Sequence, residues 1–281
     1  MGPNVQTFIG CESSYDEADV VLFGAPFDST ASYRPGTRFA SSAIRSESFG
    51  IETYSPYQRA ALEDFKIFDG GDLDLPFGNA ARVLDTIEAF CGKVHDEGKL
   101  PVMIGGEHLV TFGAVRAAAS RYQDLRVMHF DAHCDLRRDY MGESLSHATV
   151  MRRVWDLLGD GRIYQFGIRS GAREEFEWAV SHVRTELYTI RSIDSCAEAA
   201  CRYPVYITVD MDVIDPAEFP GTGTPEAGGV SFKDLLDALL SLKGLDIVGF
   251  DICELAPHYD SSGVSTAMAC KLLREMLIAY S

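Results

Sequence analysis

The sequence predicts an α/β fold, a mostly parallel sheet sandwiched by helices, in one domain over residues 1–281. Three observations predict it. Short apolar runs alternate along the chain with amphipathic ones. Runs such as VYITV show no polar alternation, as strands covered on both faces do. No Pro/Gly/Ser linker, internal repeat or low-complexity tract divides the chain.

The elements follow in order. VVLFGAP at 20–26 is an apolar strand broken by its own Gly and Pro, and a helix is expected at 39–48. KIFD at 66–69 is the next candidate strand, and the long amphipathic segment 79–97 is expected as a helix. LPVMI at 100–104 leads to a helix at 108–121, and RVMHF at 126–130 to one at 147–158. RIYQFGI at 162–168, ELYTI at 186–190 and PVYITV at 204–209 are rich in β-branched and aromatic residues, with helices at 173–182 and 194–201 between them. A helix at 231–242, the strand DIVGFDI at 246–252 and a helix at 264–279 complete the alternation.

Composition narrows the function. Hydrophobic residues make up 46% and charged residues 24%, as in a soluble globular protein. The formal net charge of −17 excludes a nucleic-acid partner, which needs a basic stripe, and disfavours an anionic membrane surface. It is compatible with a cationic substrate, although acidity for solubility alone is common. No apolar run reaches membrane-spanning length. The seven cysteines show no CxxC pair and read as reduced thiols, mostly small core residues, which points to a cytoplasmic protein. The start, MGPNVQTFIG, carries no secretory signal, and Gln6 stands where a myristoylation motif needs Ser or Thr.

In open α/β sheets, sites gather at the carboxyl ends of the strands. Three such ends here crowd ionisable residues. HFDAHCD places Asp131, His133 and Asp135 two apart, so an extended chain turns them to one face and Ala132 and Cys134 away. VDMDVIDP places Asp210 and Asp212 two apart. VMIGGEH presents His108 after two glycines, which permit close backbone approach. Each motif alone has a bland reading, since Asp commonly caps the turn after a strand. Asp215, before Pro216, is expected to do that turn work. His95 and His182 read as helix-surface residues, His129 as one residue off the ligand face, and His258 as a loop residue. The joint pattern is harder to explain structurally. Four ionised carboxylates in one low-dielectric cleft repel one another. Two divalent cations would balance them, with bridging carboxylates, and oxygen-rich ligation with some imidazole suits Mn²⁺; Zn²⁺, Co²⁺ and Fe²⁺ are also compatible.

With these stretches in view, the chain resembles the ureohydrolases, the arginase–agmatinase family, and within it is most similar to agmatinases. The matching stretches are GAPFDSTASYRPGTRFASSAIR, IGGEH, HFDAHCDLR, LSHATVMRR, ITVDMDVIDPAEFPGTGTPEAGG and GFDICELAPHYD, in the family's order over nearly the whole chain. The resemblance implies an arginase-like three-layer α/β/α sandwich with an eight-stranded, mostly parallel sheet, and a homo-oligomer, trimer or hexamer. It implies two Mn²⁺ per chain, one held by His108, Asp131, Asp135 and Asp210, the other by Asp131, His133, Asp210 and Asp212. It further implies that Glu254 grips the substrate guanidinium and that His147 shuttles a proton. Without the resemblance, Glu254 reads as a strand-end Glu paired with a surface Lys, and His147 as a helix N-terminal residue.

The implied activity is manganese-dependent hydrolysis of a small cationic guanidino compound to urea and a primary amine. The segment LRRDYMGES lacks the asparagine that arginases place after the last Asp, which favours agmatine, giving putrescine, over arginine. Cys134 and Ala148 depart from the agmatinase patterns DAHTD and SHGT. N1-aminopropylagmatine, guanidinobutyrate and, with less support, formiminoglutamate are alternative substrates, and Arg137 and Arg138 keep the last in view. Readings from other classes are a catalytically silent polyamine-binding homologue and a mononuclear zinc deacetylase on a related fold. The complete ligand set argues against the first, and the missing paired histidines against the second.

Overall fold

The computed structural model describes residues 6–281; the secretory-signal reading, so far as it rests on MGPNV, lies outside the described residues. Eight strands form one sheet: β1 (Val20–Gly24), β4 (Ile67–Asp72), β5 (Leu100–Ile104), β6 (Arg126–Phe130), β7 (Ile163–Ile168), β8 (Arg184–Leu187), β9 (Pro204–Asp210) and β10 (Asp246–Cys253). Every neighbouring pair is parallel, in the order β4-β1-β5-β10-β9-β6-β7-β8. The expected sheet is therefore present. A two-residue hairpin, β2 (Tyr54–Ser55) with β3 (Ala60–Ala61), lies apart from it. It escapes a sequence reading because two residues cannot display an alternation.

Helices cover both faces. α2 (Ala80–Asp96), α3 (Val110–Arg121), α4 (Val150–Leu158) and α5 (Arg173–His182) pack on one side. α1 (Ala40–Glu47), α6 (Ile193–Ala200), α7 (Phe232–Ser241) and α8 (Val264–Tyr280) pack on the other. Strand periodicity sorts the side chains between the two cores. Val205, Ile207 and Val209 of β9 join the second group while Tyr206 joins the first. Asn79 caps α2, its side chain accepting the Arg82 N–H at 3.0 Å.

Two expectations shift. The strand expected at 186–190 is observed at Arg184–Leu187 and stops because Tyr188 turns to φ +65°. Ile190 then folds into the core, so its apolar character reflects burial off the sheet. His95, expected on a helix surface, is only 3% exposed, packed edge-on against Tyr122. Among the described residues neither ring nitrogen of His95 has a hydrogen-bond partner, and burial and the nearby Arg121 lower its pKa to about 4. Asp215 does the turn work expected, accepting N–H groups from Ala217, Gly228 and Gly229 at 2.8–2.9 Å.

The sheet order decides where chemistry can gather. After β5 the chain moves three places over to β6, and the last strands, β9 and β10, fill the two-strand gap. The carboxyl ends of β5, β10, β9 and β6 therefore stand side by side, at a topological switch point.

Candidate metal centre and active site

His108 follows β5 through Gly105 and Gly106. A Cβ on Gly105 would meet Cys253 Sγ at 2.3 Å, and one on Gly106 would meet the Phe27 carbonyl oxygen at 2.0 Å. Only glycine lets three backbones close in here. His108 is buried, and its Nδ1 lies 3.1 Å from Asp131 Oδ2, 3.2 Å from Asp135 Oδ2 and 3.5 Å from Asp210 Oδ2. Its Nε2 lies 2.9 Å from Thr208 Oγ1, which donates to Asp251 Oδ1 at 2.6 Å. Thr208 has spent its proton on Asp251, so Nε2 carries the hydrogen and Nδ1 presents a lone pair to the three carboxylates.

His133 forms the second focus. Its Nδ1 lies 3.0 Å from Asp212 Oδ2 and 3.4 Å from Asp131 Oδ1. Asp131 thus shows one oxygen to each cluster. Asp212 is fixed by the Ala132 N–H, donated to its Oδ1 at 3.1 Å, and Asp210 caps the turn by accepting the Asp212 N–H at 2.8 Å. The strand ends at Phe130, and residues 131–135 continue as irregular chain, with His133 bridged to Ser170 and Asp135 at φ +52°. Cys134 is buried with its Sγ against the Gly171 backbone.

His129 needs a correction. Two residues before Asp131, it shares the face of Asp131, and its Nε2 donates to Asp131 Oδ2 at 2.7 Å. Thr185 donates to Gln165 Oε1 at 3.0 Å, so Gln165 Nε2 faces His129 Nδ1 at 3.1 Å and donates to it. His129 is therefore an orienting donor on Asp131. Burial lowers its pKa and keeps it neutral.

The electrostatics demand positive charge. Burial and the neighbouring Asp212 and Asp131 raise Asp210 well above the carboxylate range. Burial and Asp131 push Asp135 to about 7. Burial by itself would lower His108, but hydrogen bonding to Asp131, Asp135 and Asp210 raises it well above its ordinary value. Three carboxylates within 3.5 Å draw positive charge to this Nδ1, either a proton, as the raised pKa reflects, or a cation that its lone pair would ligate. Two groups have ligand atoms mutually within 4.8 Å: His108, His129, Asp131 and Asp135, and Asp131, His133 and Asp212. This donor set, oxygen-rich with an imidazole on each side, fits divalent cations.

The cluster floors a cleft of about 230 Å³ also lined by Ser32, Arg137, Tyr140, His147, Glu175, Thr224 and Glu254. Glu254, just past β10, is 8% exposed at φ +66°, and its Oε1 accepts the His108 N–H at 2.7 Å. Among the described residues no Lys pairs with it; its hydrogen-bond partner is the His108 backbone. Burial raises Glu254 well above its usual range, with Glu107 and Asp212 adding to the effect. His147 begins a 3₁₀ turn capped by Ser146, whose Oγ accepts the Ala148 N–H at 3.2 Å. Burial and His133 lower it to about 4, so its imidazole is neutral at neutral pH. Arg137 lies 3.4 Å from Glu175 and over the Tyr140 ring, while Arg138 is not among the cleft-lining residues.

Sequence reasoning missed Asp251, Thr208, Gln165 and Glu107, all buried beside the cluster. Asp251 and Glu107 sit in quoted motifs, DICEL and GGEH, so a signal existed; Thr208 and Gln165 look like ordinary strand residues.

Fold and site together define a three-layer α/β/α protein with a buried carboxylate–imidazole cation site at its switch point. The chain belongs to the arginase family, whose model matches residues 18–279. It is 48% identical over 280 residues to an agmatinase of Bacillus anthracis, covering 98% of this chain and 96% of that one. It is 32% identical to a guanidinobutyrase of Pseudomonas aeruginosa, covering 98% and 89%. The solved agmatine ureohydrolase of Thermoplasma volcanium superposes with a TM-score of 0.91 at 39% identity, covering 99% of this chain and 94% of that one.

Proposed function

We propose that this protein hydrolyses agmatine to putrescine and urea, using two divalent cations, Mn²⁺ by the chemistry of the donors. The observation that carries this reading is the cleft. A carboxylate cluster with no lysine or arginine partner among the described residues lies beside a further buried carboxylate, Glu254. Near-half identity over the full chain to a protein named agmatinase supports the same substrate.

His108, Asp131, Asp135 and Asp210 would hold one ion, and Asp131, His133, Asp210 and Asp212 the other. Divalent ions held there would supply a nucleophile at neutral pH by lowering the pKa of a water. The chain's own residues do the rest. Glu254 has one oxygen committed to the His108 N–H, and its other oxygen, together with the carboxylate wall, receives the guanidinium N–H groups. That grip sets the guanidinium carbon above the cluster. His147, across the cleft, passes a proton to the departing amine. Glu175 neutralises Arg137, so the cleft offers a cationic tail no unpaired guanidinium to oppose it.

The guanidinobutyrase relative gives the second reading a foothold, because Arg137 is the group that would meet a substrate carboxylate. A urea-release panel over agmatine, N1-aminopropylagmatine, guanidinobutyrate, arginine and formiminoglutamate, with Mn²⁺ present, separates the readings. Agmatine is expected to give the highest kcat/KM; a preference for guanidinobutyrate would transfer the assignment, and silence on all five would favour a binding protein. A homo-oligomer, trimer or hexamer, belongs to the same proposal and is read by light scattering.

A further inference from the structure

The proposed chemistry leaves Glu107 without a task. It is fully buried between Gly106 and His108, and no Lys or Arg pairs with it among the described residues. Both of its oxygens accept from one residue. Thr30 donates its backbone N–H to Oε2 at 2.7 Å and its hydroxyl to Oε1 at 2.5 Å. A threonine has one hydroxyl proton, and with Glu107 ionised that proton is committed to the carboxylate. Towards every other partner Thr30 Oγ1 can only accept.

Its other partner is His147. Thr30 Oγ1 accepts the His147 backbone N–H at 3.1 Å and lies 3.4 Å from His147 Nδ1. Since the oxygen can only accept, Nδ1 must be the protonated ring nitrogen. Nε2 is left bare, 3.4 Å from the hydroxyl of the cleft-lining Ser32. Tyr140 holds the ring edge-on, with centroids 5.7 Å apart. The loop carrying Thr30 is itself fixed. Asp28 accepts the Gly36 N–H at 2.8 Å, and Arg34 donates to the Thr222 and Gly223 carbonyls at 2.7 and 3.0 Å.

We propose that Glu107 and Thr30 are positioning residues that fix the orientation and the Nδ1–H tautomer of His147 through the Thr30 hydroxyl, leaving Nε2 as the nitrogen that exchanges protons in the cleft. In that role Nε2 takes a proton released by the attacking water and gives it to the departing amine, while Nδ1 keeps its own throughout. The inference rests on the reading of His147 as proton carrier.

The test is a mutant cycle with T30V, which keeps the shape and removes the hydroxyl, T30S, which keeps the hydroxyl, H147N and T30V/H147N. Urea release from agmatine is followed across pH with Mn²⁺ present. T30V is expected to lose roughly 10- to 100-fold in kcat, as a misplaced catalytic group does, with KM within about threefold. T30S is expected to recover most of the loss. T30V/H147N should be no slower than H147N, because Thr30 acts through that ring. A readout independent of turnover is the ring ¹⁵N spectrum of histidine-labelled, metal-free protein. The wild type should show His147 protonated at Nδ1, and T30V a mixture of tautomers. Additive losses in the cycle, or an unchanged tautomer in T30V, overturn the inference. If H147N itself turns over normally, the shuttle reading fails and takes this one with it; if H147N is impaired and T30V is not, only the positioning role falls.

Discussion

Glu254→Gln tests the guanidinium grip most directly. In the native protein Oε1 accepts the His108 N–H at 2.7 Å, and Oε2 accepts no hydrogen bond among the described residues. Glutamine can keep the first bond by placing its carbonyl oxygen there, so the backbone after β5 need not move. The amide then turns its NH₂ to the cleft, where a guanidinium also offers only donors. An attractive charge-assisted contact becomes a donor–donor contact. Removing one partner of a buried, hydrogen-bonded charge pair costs about 2–5 kcal/mol. At about 1.4 kcal/mol per tenfold, kcat/KM for agmatine should fall roughly 30- to 3000-fold. Steady-state urea release gives the value, and metal analysis of the same sample should find the wild-type content. A kcat/KM within threefold of wild type would show that Glu254 does not hold the guanidinium. A comparable loss accompanied by depleted metal would place Glu254 in the cation site instead.

The remaining predictions concern the cluster and the core. Asp131→Asn should deplete both ions, because Asp131 shows Oδ2 to His108 and Oδ1 to His133, whereas Asp212→Ala should deplete one. Metal analysis after dialysis decides, and two retained ions in Asp131→Asn would refute the bridging role. The same variant must set an amide NH₂ against the His129 Nε2–H or the His133 backbone N–H. That strands a buried donor at a cost of about 1–3 kcal/mol, measurable by denaturant unfolding of metal-free protein. His95 predicts an acid-sensitive core. Its folded pKa, about 4, lies below the ordinary imidazole value of about 6.5, so the unfolded chain takes the proton first. The penalty is absent above pH 6.5 and grows as pH falls towards 4, reaching about 3 kcal/mol at most. His95→Leu should remove that part of the slope between pH 6.5 and 4 in metal-free unfolding; parallel wild-type and variant curves would contradict the burial argument.

The strands and helices were legible in the sequence because local patterns write them. VYITV has no polar residue on either face except Thr208, and a strand buried on both sides is the result. The ligand candidates were legible for a similar reason: six ionisable residues at three apolar strand ends have no cheap structural explanation. His129 was misplaced on the wrong face, although a spacing of two from Asp131 gives its side. His95 was misjudged because a helix position shows its burial only once Tyr122 and α3 are packed beside it. Thr208 and Gln165 were invisible, since a hydroxyl or amide in a strand becomes an orienting partner only when a neighbouring strand brings it a histidine.

By itself, then, the sequence determined the alternation of strands and helices, the identity of the carboxylates and imidazoles, and the strand ends that carry them. Spacing and side-chain chemistry are local, and a chain of 281 residues states them outright. Only the tertiary structure decided that β9 and β10 enter between β5 and β6, which brings His108, Asp131, Asp210 and Glu254 together. Strand order depends on which long-range pairings bury the most apolar surface, and no window along the chain contains that comparison. The same packing brings Thr30 from the loop after β1 between Glu107 and His147, three residues far apart in sequence whose single shared proton assigns the histidine its tautomer.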